Sequence, residues 1–155
     1  MNLRQIDQKD QVGIKKVFFD SIQSIDEQIY SKDQKKAWSS QAWENPNFEL
    51  SINKGNGWLI YFEEKIIAFG LRYPNNKISL FYCRGEFQRK GFGTKLIYKL
   101  EDDAKKEGLR FLTTDASLIS YKLFLKHNWK VMRKEKIIIK NKFFERYKMI
   151  KIFNI

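Results

Sequence analysis

The chain changes character once, sharply, in its middle third. Three runs of strand-forming residues, Trp58–Phe62, Ile66–Leu71 and Ile78–Cys83, are parted only by the short turns Glu63-Glu64-Lys65 and Pro74-Asn75-Asn76. From Phe92 onward, apolar residues recur every four positions through Leu96, Leu100 and Ala104, with Ile97 alongside. The first pattern reads as consecutive strands, most simply an antiparallel meander, and the second as a helix closed by Gly108. Between them stands Gln88-Arg89-Lys90-Gly91-Phe92-Gly93-Thr94. A helix that opens on glycines offers unpaired backbone N–H groups and the positive end of its dipole, with no Cβ to hold an anion away. A pyrophosphate suits such a turn, and Arg89 and Lys90 add positive charge at its mouth.

The flanking segments complete an α/β pattern. Leu3–Ile6 reads as a short strand. Residues from about Gln8 to Ile29 read as a helix, with Val12, Val17, Phe18, Ile22, Ile25 and Ile29 near helical spacing. Ser31-Lys32-Asp33-Gln34 is a capping-box pattern that starts a second helix carrying Ala37, Trp38, Ala42 and Trp43. Pro46 stops that helix or opens another short one. Beyond Gly108, Phe111–Thr114 reads as a strand, residues 117–127 as a short helix, and Lys130–Ile139 and Phe143–Phe153 as two closing strands turned at Asn141-Lys142. The order β-α-α-β-β-β-α-β-α-β-β predicts an α/β fold, a mixed and mostly antiparallel sheet flanked by helices. With 155 residues and no Pro/Gly/Ser-rich linker, residues 1–155 are expected to form a single domain.

Composition removes several kinds of chemistry. One cysteine, Cys83, and one histidine, His127, leave no internal disulfide and no Cys/His zinc site within one chain, so no metal is expected. A Cys83–His127 nucleophile pair would need two unrelated positions to meet; the simpler reading packs Cys83 at a strand end and puts His127 in a turn. No apolar run approaches the ~20 residues of a membrane helix, and the N-terminus opens into polar sequence, so a soluble cytoplasmic protein is expected. The net charge is +12, and residues 121–155 carry eleven Lys or Arg against Glu135 and Glu145, which is +9 of it. Such a field attracts anions, although a lysine-rich surface also serves solvation alone.

The glycine turn does not fit the common nucleotide motifs. A P-loop needs Gly-Lys-Ser/Thr where this chain has Gly93-Thr94-Lys95, and a dinucleotide fingerprint needs a third glycine where Leu96 stands. It does match Gln/Arg-x-x-Gly-x-Gly/Ala, through Gln88, Gly91 and Gly93. On that motif, and on Lys126-His127-Asn128-Trp129 at the turn after the short helix, the chain resembles the GNAT (Gcn5-related N-acetyltransferase) superfamily over nearly its whole length. Tyr30-Ser31-Lys32-Asp33-Gln34 with Trp38 further resembles the Tyr-Ser-x-x-Gln…Trp element of one bacterial GNAT subgroup.

The resemblance implies an N-acetyltransferase that uses acetyl-CoA as co-substrate and a primary amine of a small molecule or a protein as acceptor. It implies that the backbone of Gln88, Arg89, Lys90, Gly91, Phe92, Gly93 and Thr94 holds the pyrophosphate. The strand Phe81-Tyr82-Cys83, splayed from Phe111–Asp115, would pair with the pantetheine arm and supply a backbone N–H to the thioester oxygen. The family's Asn-x-x-Ala-x-x-x-Tyr element falls on Ser117, Ser120 and Phe124, so the usual tyrosine acid is missing. Tyr121 lies near the same helix face, either as a substitute or as a tyrosine that is simply exposed or packed. Asp115 is placed to accept a proton from the acceptor, or equally to cap the helix that follows; the family's general-base glutamate position is Lys77 here. Tyr30 would face the acceptor, or equally pack in the core beside Trp38. Two other readings follow from the same residues: acetylation of aminoacyl-tRNA, for which the basic C-terminal third is suited, and a regulatory module that binds acyl-CoA without turnover. GNAT domains are often dimers, but no residue here fixes an interface.

Overall fold

A computed structural model describes residues 1–154. One seven-stranded sheet runs through them in the order β1-β2-β3-β4-β5-β7-β6. The strands are β1 (Asn2–Gln5), β2 (Asn56–Phe62), β3 (Lys65–Arg72), β4 (Lys77–Cys83), β5 (Phe111–Ala116), β6 (Lys130–Ile139) and β7 (Lys142–Ile152). Only β4 and β5 run parallel; every other neighbouring pair is antiparallel. The meander β2-β3-β4 is as the sequence implies. The last strand, however, inserts between β5 and β6 rather than adding at the edge, which brings the basic hairpin beside β5.

Helices cover both faces. On one, α1 (Gln11–Gln23) buries Ile14, Val17, Phe18 and Ile22 against Leu59, Phe69 and Leu71. On the other, α5 (Phe92–Lys106) buries Leu96, Ile97, Leu100 and Ala104. Its end is built as the sequence predicts. Gly108 sits at φ +82°, its N–H bonds the Lys105 carbonyl and the Leu109 N–H bonds the Ala104 carbonyl, so two orphan carbonyls are closed. Among the described residues no helix is long and apolar enough to cross a membrane.

Three expectations are corrected. The first helix ends at Gln23, six residues early. The Ser21 and Ser24 hydroxyls bond carbonyls three residues back, and the Asp26 carboxylate takes the Gln28 N–H, which fixes a turn instead. Val12 and Ile29, counted in its core face, are 67% and 45% exposed. The second helical stretch is broken into α2 (Lys32–Ser39), α3 (Gln41–Glu44) and α4 (Pro46–Lys54), and Trp43 is left exposed. The α2 capping box is made in full: Ser31 Oγ accepts from Gln34 N–H, and Gln34 Oε1 from Ser31 N–H. Finally, α6 spans only Tyr121–Lys126, because Ser117 Oγ takes the N–H groups of Ile119 and Ser120 in a turn that delays the helix.

Candidate functional site

The site forms where β4 and β5 part. Their ladder holds only at Lys77 with Thr113 and Ile78 with Thr114. Just beyond, the β3–β4 register slips, leaving Ser79 as an extra residue on β4. Arg84 N–H reaches the Ile67 carbonyl at 2.9 Å. Alternation along an antiparallel strand therefore turns the main chain of Tyr82 and Leu80 toward β3, and that of Phe81 and Cys83 toward the gap beside β5. This is a free sheet edge inside the molecule, and an extended ligand can pair with it.

The gap opens onto the glycine turn. Gly91 stands at φ +87° as the N-terminal cap of α5, and no side chain caps that helix. Gly93 is needed for a different reason, since a Cβ there would lie 2.6 Å from Leu123 Cδ2 on the facing segment. Gln88 ties the turn back to β4, its amide donating to the Cys83 carbonyl at 3.3 Å. Phe81, Tyr82, Cys83, Gln88, Arg89, Phe92, Gly93 and Ser117 all border one cleft of about 490 Å³, walled on its far side by Ile22 and Ile25. Lys90 lies over the Phe87 ring, 5.6 Å from its centroid, and the Thr94 hydroxyl pairs with His127 Nε2 at 3.0 Å. An uncapped helix N-terminus, a left-handed glycine and an unpaired strand edge along one cleft fit a long ligand with a phosphorylated end.

A second cavity of about 280 Å³ adjoins the first and shares Trp38, Phe81, Tyr82, Ser117 and Ser120 with it. Tyr30 is buried on its wall, with its hydroxyl accepting from Leu118 N–H at 3.0 Å; burial raises that hydroxyl above the usual tyrosine range. Burial does the same to Tyr82. Phe124, whose ring lies 5.2 Å from Phe81 and 4.9 Å from Trp129, forms an apolar floor. Asp115 does not cap the following helix; Ser117 Oγ takes the N–H groups of Ile119 and Ser120 in the turn before it, and Asp115 instead pairs with Lys77 at 2.8 Å. Burial pushes its carboxyl up, but the Lys77 hydrogen bond and the charges of Lys77, Arg146 and Lys148 outweigh that and hold it below the ordinary range.

One candidate catalytic residue stands elsewhere. Tyr121 lies 4.4 Å from Tyr147, ring to ring, and among the described residues it borders neither cavity. With α6 starting at Tyr121, that residue and Phe124 point roughly 60° apart around the axis, so only Phe124 faces Phe81. Cys83 and His127 have separate partners, the Arg84 carbonyl and Thr94, and burial together with the Asp20 charge pushes the thiol up to about 11. Arg146, Phe144 and Ile137 also border the second cavity, although nothing local in the sequence marks them. Phe144 and Arg146 arrive through the insertion of β7, and Ile137 comes from β6 beside it. Among the described residues no three His, Cys, Asp or Glu side chains gather to hold a metal ion.

Comparison with known proteins agrees with this architecture. The chain resembles a GCN5-related N-acetyltransferase from Rhodopseudomonas palustris, with 22% identity and a TM-score of 0.89 over 98% of this chain and 95% of that one. It resembles PaiA N-acetyltransferase from Thermoplasma acidophilum, solved with coenzyme A, at 16% identity and a TM-score of 0.73 over 99% and 100% of the two chains. YncA from Salmonella typhimurium, solved with its cofactor acetyl-CoA, gives 13% identity and a TM-score of 0.67 over 99% and 94%. No curated protein matches the sequence. The sequence model for the acetyltransferase (GNAT) family matches residues 19–129, from within α1 to the end of the α6 turn and over both the glycine turn and the strand gap, and the chain belongs to that family.

Proposed function

We propose that this protein moves an acetyl group from acetyl-CoA to the primary amine of an acceptor. The observation that carries the reading is the junction of two cavities across Phe81 and Tyr82, one bordered by the uncapped α5 N-terminus and the other by ionised side chains. That coenzyme A and acetyl-CoA were bound in two solved relatives supports the identity of the donor.

In this scheme the N–H groups of residues 89–94 hold the pyrophosphate, and the free β4 edge at Phe81 and Cys83 holds the pantetheine arm. Acetyl-CoA supplies the thioester, whose carbonyl carbon the amine attacks, so that the C–N bond forms, the C–S bond breaks and the thiol leaves. Holding both reactants across one wall removes most of the entropic cost of their meeting. Tyr30, protonated at neutral pH, returns a proton to the departing sulfur. Asp115 takes the amine proton through water; held as a weak base, it leaves the pH dependence of turnover to the acceptor amine itself. Placement in the subgroup with the Tyr30…Trp38 element rests on the sequence resemblance alone; both residues border the second cavity.

Free-thiol release from acetyl-CoA, screened against polyamines, amino acids, peptides and aminoacyl-tRNA, tests this, with calorimetric acetyl-CoA binding alongside. Turnover with one class establishes the enzyme and its acceptor. A second reading, a module that binds acyl-CoA without turnover, is favoured by Phe124, which puts no hydroxyl where the family has its acid. Tight binding with no turnover over the whole panel would select it, and no binding would refute both.

A further inference from the structure

The charges at the second cavity are not balanced donor for acceptor. Glu135 is held by Arg133 at 2.8 Å and by Arg146, whose Nε and Nη2 lie 3.0 and 2.9 Å from its Oε2. Glu145 is paired with Lys134 at 3.0 Å, and Asp115 with Lys77 at 2.8 Å. Every carboxylate around the cavity is thus answered. The cations are not. Among the described residues Arg146 Nη1 makes no hydrogen bond, Asp115 Oδ2 lying 3.8 Å away and beyond reach, and Lys77 spends one of its three N–H donors on Asp115. Both remain open to the cavity, with Arg146 32% and Lys77 37% exposed against 16% for Asp115. The rest of the wall is apolar and aromatic, from Trp38, Tyr82, Phe144 and Ile137.

We infer that the cavity selects an acceptor that carries a carboxylate besides its amine. This rests on the acetyl-transfer reading, in which the amine end lies against Phe81 and Tyr82. The carboxylate then meets the spare N–H groups of Arg146 and Lys77, and an apolar body lies along the aromatic wall. Charge-assisted contacts of this kind are the strong ones, and two cations can each take one oxygen. A volume of about 280 Å³ suits a small molecule of amino-acid size. A polyamine, bearing only positive charge, offers nothing to those spare donors and meets Asp115 and Glu145 already paired with lysines, so it is disfavoured.

The test separates this inference from the reaction. Binding of matched amines to the protein loaded with CoA, where no transfer occurs, is followed by tryptophan fluorescence, since Trp38 borders the cavity. The pairs are phenylalanine with phenylethylamine and aminohexanoate with hexylamine. At least one carboxylated member should bind about tenfold or more tightly than its partner. Arg146→Gln and Lys77→Gln should each shrink that ratio, and together bring it near one, with calorimetric CoA affinity as the control for folding. If Arg146→Gln loses CoA affinity as well, Lys77→Gln carries the comparison. Equal binding within both pairs, absence of binding by all four amines, or a preference that survives the double substitution would overturn the inference. A carboxylate preference without thiol release from acetyl-CoA would leave the inference standing and sink the transferase reading instead.

Discussion

Gly91→Ala is the substitution whose effect follows most directly from the backbone. Gly91 stands at φ +87°, and a Cβ built there meets nothing within 4 Å. The cost therefore arises within the residue itself, where the Cβ crowds its own carbonyl, and amounts to roughly 1–2 kcal/mol. No neighbour adds to it. That strain has two outlets. If the turn keeps its shape, stability falls and Tm drops by about 2–8 °C in a chain of this size. If the turn relaxes and is re-formed only around acetyl-CoA, the same energy weakens binding by about 5–30-fold. Calorimetry of unfolding and of binding on one sample should show the two losses summing to about 1–2 kcal/mol. Gly91→Asn, which tolerates the left-handed region, should lose less on both axes. Gly91→Glu adds a negative charge at the helix N-terminus, where the pyrophosphate is proposed to sit, so it should weaken binding beyond Gly91→Ala. If Gly91→Ala matches the wild type in both Tm and affinity, the left-handed turn is not the cofactor-holding conformation.

Asp115 yields a stability prediction in acid. Its folded pKa is depressed, so its contribution is fully present above the unfolded value of ~3.9 and is lost as pH falls through the lower folded value. Asp115→Asn should therefore flatten the fall in Tm below about pH 4, and an unchanged acid limb would refute its pairing with Lys77. The pH–rate profile should rise with the titration of each acceptor amine, so two acceptors of different basicity should give displaced curves. Cys83, raised to about 11, should alkylate slowly at pH 8 and speed up by about tenfold per pH unit toward that value; fast labelling at neutral pH would place the thiol outside the apolar cleft. Lys35 is buried with its ammonium donating to the carbonyls of Gln23 and Ile25, so Lys35→Met should lose about 1–3 kcal/mol in urea unfolding by leaving both unpaired.

What the sequence made legible was local. The α5 stripe, the Gly108 closure and the Ser31–Gln34 box each depend on residues within one or two turns of one another, and the structure contains all three. The end of α1 was not legible, because the apolar spacing of Ile25 and Ile29 continues past the point where Ser21, Ser24 and Asp26 divert the backbone. The start of α6 was missed for a like reason: the Ser117 hydroxyl competes for the N–H groups that the helix would otherwise order.

The two halves of the site differ in the same way. The proposed donor side is built largely from main chain, so its requirements fall on glycines, which a seven-residue stretch announces, and on one break in strand pairing, which the family resemblance alone implied. The proposed acceptor side is built from side chains on α2, β4, β5, β6 and β7, and the sequence places Trp38 more than a hundred residues from Arg146. Arg146 reaches Asp115 only because β7 pairs with β5 while β6 is pushed to the edge. Without that insertion the eleven cations of the last third would be a solvated surface, as their composition suggests. With it, at least one of them borders a cavity with hydrogen-bond donors to spare. Donor recognition in such a chain can persist on a few backbone positions, while acceptor choice can be altered by single side chains on strands that the glycine turn never touches.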